Sequence, residues 1–232
     1  MEQAYKSGKM ILVDKPLNWT SFDVVNYLRM ELRKKANIKE IKVGHAGTLD
    51  PLATGLMIVC TGKWTKRINE FQDMDKEYIG QFTLGATTPS FDVETEIDAT
   101  YPVDHITEDM IRQAAESFMG PSEQVPPVFS AVKIKGKRAY EYAREGKEVL
   151  IQPKSIIILA FDITLIEDNI VTFRIRCSKG TYIRSLARDF GKQLGSGAYL
   201  SQLRRTAIGD FLVVNAITPA EFSLELTDHL TE

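Results

Sequence analysis

Residues 44–62 read GHAGTLDPLATGLMIVCTG. Four glycines (44, 47, 55 and 62) and Pro51 surround a single acid, Asp50, and the apolar run Leu56–Thr61 follows. Glycine permits positive φ and close backbone approach, while a residue before proline is pushed toward an extended conformation. Asp50 is therefore expected on a tight loop beside a buried strand, positioned rather than free. For an isolated Asp-Pro the alternative is a turn whose carboxylate bonds its own backbone. The length of the motif argues for a held acid.

Outward from this loop, strand-like runs alternate with few helix signals. Phe22, Val25, Leu28 and Leu32 recur at helical spacing, so 21–35 is predicted as an amphipathic helix capped by Thr20 or Ser21. A second helix is predicted over 107–119, stopped by Gly120-Pro121, and a third over 181–194. Met10–Val13, Leu56–Thr61, Tyr78–Leu84, Ser155–Ile166 and Ile170–Cys177 read as strands. Helices do not follow strands in regular alternation. The fold class is therefore α+β, a mixed, largely antiparallel central sheet flanked by helices.

The chain has 232 residues, with 44% hydrophobic and 26% charged, which suits an ordinary globular protein and one large domain. Two cysteines exclude a disulfide framework, and no signal peptide or eighteen-residue apolar span appears, so a soluble cytoplasmic protein is expected. The net charge of −2 argues against a nucleic-acid partner until it is mapped. Residues 92–123 net −8 and residues 221–232 add four acids, leaving +10 on the other 188 residues. Within these, 29–42 nets +4, 133–148 nets +3 and 174–192 nets +5, with Arg204-Arg205 beyond. A basic surface facing a polyanion is one reading, and solvated helix faces balanced by acids elsewhere is the other.

Several chemistries are excluded. His45, His105 and His229 lack paired-ligand spacing, so no metal site is expected. The nearest approach to a P-loop is Gly62-Lys63, but Trp64 follows where Ser or Thr is needed, and the glycines also fail the dinucleotide pattern. No cofactor is expected.

The 44–62 segment resembles the signature of the TruB family of pseudouridine synthases. Agreement extends to MILVDKPLNWTSFDVV (10–25), Lys76-Glu77-Tyr78, VPPVFSAVKIKGKRAYEYAREGKEV (125–149), CSKGTYIRSLARDFG (177–191) and Leu203-Arg204-Arg205. The resemblance implies a pseudouridine synthase fold and isomerisation of a uridine in the T arm of tRNA, without metal or ATP. It also implies that Asp50 is the essential carboxylate, acting on C1′, on C6 of the ring or on the C2′ proton. Arg184 would keep Asp50 ionised, Tyr78 would stack on the uracil and remove the C5 proton, and Tyr182, Leu203 and Lys15 would line the pocket.

On the residues alone Tyr78 and Leu203 read as core, Arg184 as a phosphate contact and His45 as a surface residue. The resemblance instead has His45 fill the space left by an extruded base. It makes residues 124–150 a thumb-like insertion clamping the T stem-loop, with Lys133, Lys135, Lys137, Arg138, Arg204 and Arg205 on phosphates. Two departures from the family pattern are expected to matter. A C-terminal RNA-binding domain is expected to be absent, so that 1–232 is one catalytic domain. In the 88–95 turn Pro89 and Thr95 replace an Asp and a Gly, which leaves the role of Asp92 open. The expected partner is tRNA, bound by a monomer. The competing reading is a T-arm binding module or tRNA-folding chaperone that needs no catalysis; a guide-RNA-dependent synthase fits less well.

Overall fold

The computed structural model describes residues 2–130, 132–134, 136–145 and 149–228. The chain forms two compact units, Met1–Tyr78 with Leu203–Glu232, and Ile79–Gln202. It passes from one to the other within two strands.

The first unit opens with α1 (Glu2–Ser7), β1 (Met10–Lys15), α2 (Ser21–Lys34), β2 (Val43–His45) and β3 (Ala53–Thr61). A 3₁₀ stretch (Gly62–Arg67), α3 (Ile68–Gln72) and the start of β4 (Lys76–Leu84) follow. The second unit contains β5 (Ala86–Thr87), β6 (Ala99–Thr100), α4 (Glu108–Ser117), β7 (Gly120–Gln124), β8 (Lys133–Ile134), β9 (Lys137–Arg138) and α5 (Ala139–Arg144). After these come β10 (Lys154–Glu167), β11 (Ile170–Cys177), α6 (Ile183–Gln193) and the start of β12 (Ala198–Ile208). The end of β12, β13 (Phe211–Leu212) and α7 (Pro219–Asp228) return to the first unit.

Strand order in the main sheet is β1-β3-β12-β4-β11-β10-β7, with β2 beside β3 and β13 beside β12. The pairs β1–β3, β2–β3, β7–β10, β10–β11 and β12–β13 are antiparallel, whereas β3–β12 is parallel. This is the mixed, largely antiparallel sheet the sequence implies.

Each unit has its own core. In the first, Leu56, Ile58 and Cys60 of β3 pack with Ala46, Phe71 and Ile208. In the second, Phe82, Phe161, Phe173 and Phe190 form a ring cluster with centroids 4.3–6.3 Å apart. Such pairs add cohesion beyond the area they bury. Helix α2 starts where predicted: Thr20 Oγ1 accepts from Asp23 N (3.0 Å), and Asp23 Oδ2 accepts from Thr20 N (2.8 Å). Its buried side carries Val24, Val25, Leu28 and Leu32. Helix α7, which the sequence reading did not anticipate, packs on α2; Lys35 Nζ donates to Ser223 O (2.8 Å) and Oγ (2.7 Å).

Candidate active site

Asp50 sits in the loop between β2 and β3, and the main chain on both sides of it is tied down. Ser21 Oγ accepts from Leu49 N (2.8 Å) and donates to Leu49 O (3.1 Å). Asp50 O accepts from Ala53 N (3.1 Å), and Pro51 O accepts from Asn18 N (2.9 Å) and Lys15 Nζ (3.2 Å). Arg205 donates from Nη2 to Gly47 O (3.2 Å) and from Nε to Leu56 O (2.7 Å). Ser21, Lys15 and Arg205 are all buried, while Asp50 is half-buried. The glycines are required here: Gly55 has φ +106°, and a Cβ there would lie 2.3 Å from Arg205 O. That clash explains how β12 can run beside β3 with Leu203, Arg204 and Arg205 opposite Ala53, Thr54 and Gly55.

The expected roles of three cations change. Arg205 is 1% exposed and committed to the loop, so it cannot present its guanidinium to an RNA phosphate. Arg204 forms a two-pronged ion pair with Asp14 (3.0 and 2.7 Å) of β1, reaching across the intervening β3, which ties up the face a phosphate would need. Lys15 was expected to line the substrate pocket. It is fully buried, and its Nζ donates to the carbonyls of Pro16, Trp19 and Pro51. Burial pushes its ammonium down to about 8; the charge of Arg205 acts the same way, and those of Asp50 and Asp23 oppose it.

His45, in β2, is half-buried rather than a surface residue, and burial lowers its pKa, so it is neutral at pH 7. Tyr78 is buried at 8% exposure on an inward position of β4, and Leu203 is half-buried. The thiol of Cys60 is buried and pushed up to about 11, too high for a nucleophile.

In the second unit Arg184, in the first turn of α6, is 5% exposed. Its Nη1 donates to Phe129 O (2.9 Å) and Ser90 O (3.3 Å), and its Nε lies 3.5 Å from Asp92 Oδ2. Asp92 is itself buried, and its Oδ1 accepts from Glu94 N (2.9 Å). The preceding residue, Phe91, has φ +62°, an uncommon conformation for an aromatic side chain. Thr95, where the family pattern has Gly, holds the turn: its Oγ1 accepts from Ser90 N (3.1 Å) and pairs with Ser90 Oγ (2.8 Å). The departures at 89 and 95 thus leave a turn that aims Asp92 at Arg184. Tyr182 is half-buried at the N-terminus of α6, where Gln124 bonds both its N (2.8 Å) and its O (3.1 Å).

Residues 33–183 match the TruB family pseudouridylate synthase N-terminal domain. The chain belongs to the TruB family. Relatives named tRNA pseudouridine synthase B are 56% identical in Phocaeicola vulgatus (94% of this chain, 93% of that one) and 54% identical in Parabacteroides distasonis (93% and 92%). The counterpart in Flavobacterium johnsoniae is 53% identical (93% and 94%). Among solved structures, a chain of a Cbf5-Nop10-Gar1 complex superposes with TM-score 0.69 at 30% identity, covering 94% of this chain and 54% of that one. An H/ACA ribonucleoprotein bound to a substrate RNA containing 2′-deoxyuridine gives 0.69 at 27% identity, covering 96% and 54%. The present chain spans about half the length of these solved chains.

The start of the 124–150 segment of this TruB-family protein is anchored to α6. Beyond Gln124, Ser185 Oγ donates to Val125 O (2.8 Å), and Phe129 O receives Arg184. Further out, β8 and β9 form a hairpin pairing Lys133 with Arg138 and Ile134 with Lys137. Arg138 is exposed, whereas Lys137 is ion-paired with Glu145 and lies 5.0 Å over the ring of Tyr142. Lys135 lies outside the described residues. Sequence reasoning missed Gln124 and the loop-tying role of Ser21, which it took only as a possible cap. No helix among the described residues is long and apolar enough to cross a membrane.

Proposed function

We propose that this pseudouridylate synthase isomerises a uridine in the T loop of tRNA, with Asp50 as the essential carboxylate. The observation that carries the reading is the grip on the Asp50 loop: three buried side chains fix the peptides on either side of one acid. A carboxylate held this way spends its binding energy on orientation in advance, where a small misplacement can cost about 100-fold in rate. Identity above 50% to proteins named for tRNA, against 30% or less to the Cbf5 and H/ACA chains, favours tRNA over a guide-RNA complex.

The reaction balances without an electron acceptor. The C1′–N1 bond breaks, the uracil turns, C1′–C5 forms, a proton leaves C5 and N1 gains one. Asp50 serves as nucleophile on C1′ or C6, or as base toward C2′–H. In this reading Arg184 keeps Asp50 charged, Tyr78 stacks on the uracil and takes the C5 proton, and Tyr182 and Leu203 wall the base. Neutral His45 fills the space of the extruded nucleotide, whose unstacking costs a few kcal/mol. The insertion clamps the stem-loop, with Arg138, Lys133 and Lys135 on phosphates.

Tritium release from a T stem-loop labelled at C5 of uridine tests this. Wild type should release tritium, and Asp50→Asn should lose about 10⁴-fold or more of that rate. Undiminished release by Asp50→Asn would overturn the assignment. A wild type that binds the stem-loop without releasing tritium would make the protein a T-arm binding module instead.

A further inference from the structure

One basic cluster takes no part in this chemistry. At the end of β3 remote from Asp50, a pocket of about 280 Å³ is lined by Lys6, Lys42, Lys63 and Lys66, with Glu40 the sole acid among its lining residues. All four lysines are exposed. Lys6 is paired with Glu2 (2.6 Å), whereas Lys42, Lys63 and Lys66 have no ion-pair partner among the described residues. Lys42 ends the +4 stretch and Lys63 belongs to the Gly62-Lys63 pair, two sequence features that the active site leaves unexplained.

The lysines come from three separate segments that Gly62 draws together. Its φ is +52°, and a Cβ there would lie 2.2 Å from Lys6 O and 2.5 Å from Tyr5 O. Its N donates to Lys42 O (2.8 Å), and Thr61 Oγ1 donates to Tyr5 O (2.9 Å). The end of α1, the residue before β2 and the 3₁₀ stretch are thus held together by these bonds, and their four lysines line one pocket.

We propose that this pocket binds backbone phosphates of the RNA substrate outside the loop that is isomerised, an inference that rests on the tRNA reading above. Three points select this ligand. Nine extended residues of β3 separate the pocket from the Asp50 loop, about 30 Å at ordinary strand rise, so a phosphate here is distant in the RNA from the reacting uridine. The donors are long, mobile ammonium groups, which act as point charges on a polyanion. They also lack the planar arginine forks suited to a single small phosphate ester. Contacts of this kind position an RNA without reading its sequence.

The test compares full-length tRNA with the isolated T stem-loop in wild type and in Lys42→Gln/Lys63→Gln/Lys66→Gln. Expected is about a tenfold loss of affinity for full-length tRNA, with a log–log salt dependence shallower by about 2. Stem-loop affinity and stem-loop tritium release should not change, which also shows that the variant is folded and that the catalytic reading stands. Unchanged full-length affinity overturns the proposal, as does an equal loss for both RNAs. In the wild type, lysine acetylation supplies a second readout: Lys42, Lys63 and Lys66 should be protected by full-length tRNA and not by the stem-loop. Protection of these lysines by inorganic phosphate or a mononucleotide, with none by tRNA, would instead assign the pocket to a small phosphorylated ligand.

Discussion

Around Asp50 the protein grips the main chain, with Ser21, Lys15 and Arg205 holding the carbonyls and amide of residues 47–56. Around Arg184 it grips the side chain, with Ser90 O, Phe129 O and Asp92 gathered on the guanidinium. The two devices suit different tasks. Backbone anchoring fixes where an acid sits through its neighbouring peptides, which suits the nucleophile or base that the proposed reaction asks of Asp50. Direct contacts suit the constant charge that the proposed reaction asks of Arg184, because its own bonding need not change.

If that contrast is right, disturbing the backbone grip should hurt most. Arg205→Gln removes the fork that spans Gly47 and Leu56, and turnover on the T stem-loop should fall about 10²–10³-fold with KM little changed. Single-turnover tritium release would show this, and Arg205→Lys should recover part of the loss. A purely structural role would lower the melting temperature and leave single-turnover rates at low temperature intact. Asp92→Asn keeps the turn but takes a charge away from Arg184, so a smaller loss is expected, roughly 10–30-fold in kcat. A loss as large as that of Arg205→Gln would show that side-chain grip matters as much as backbone grip.

The smallest effect concerns Lys15 and the pH dependence of stability. Its pKa is about 8 in the folded protein and ordinary when unfolded, so between about pH 8 and 10.5 the unfolded chain binds more protons. The penalty for burying the charge is therefore full below pH 8 and relieved as pH rises through that window. Relative to Lys15→Met, wild type should gain roughly a few degrees in melting temperature between pH 7.5 and 10. An unchanged difference would mean that the amine does not titrate there.

Periodicity reveals β11, where buried Val171, Phe173 and Ile175 alternate with Thr172, Arg174 and Arg176; it is looser at β10, which exposes Ile157, Leu159 and Leu165, and at α2, where Phe22 of the expected apolar face is 64% exposed. It fails at β12, where Arg205 occupies a buried position and an ordinary strand would show an aliphatic residue. The same residue misleads the reading of the site. An Arg-Arg pair looks like phosphate contacts until Gly47 and Leu56 appear opposite it, and no local pattern announces partners 158 and 149 positions away. Strand β7 was hidden for another reason. Gly120-Pro121 reads as a helix stop, but the strand lies last in the sheet order, where proline is tolerated. Asp50 itself was legible because glycines and proline crowd around it within one short stretch.

The distance in sequence between the Asp50 loop and its Arg205 clasp has a consequence during synthesis. Residues 44–56 leave the ribosome long before residue 205 is made, and a contact spanning 158 positions forms only after that intervening chain exists. At about 5–20 residues per second the loop spends roughly 8–30 seconds without its arginine. A nascent chain can therefore display the signature motif without a fixed acid, and competence for tRNA waits until β12 slides in beside β3.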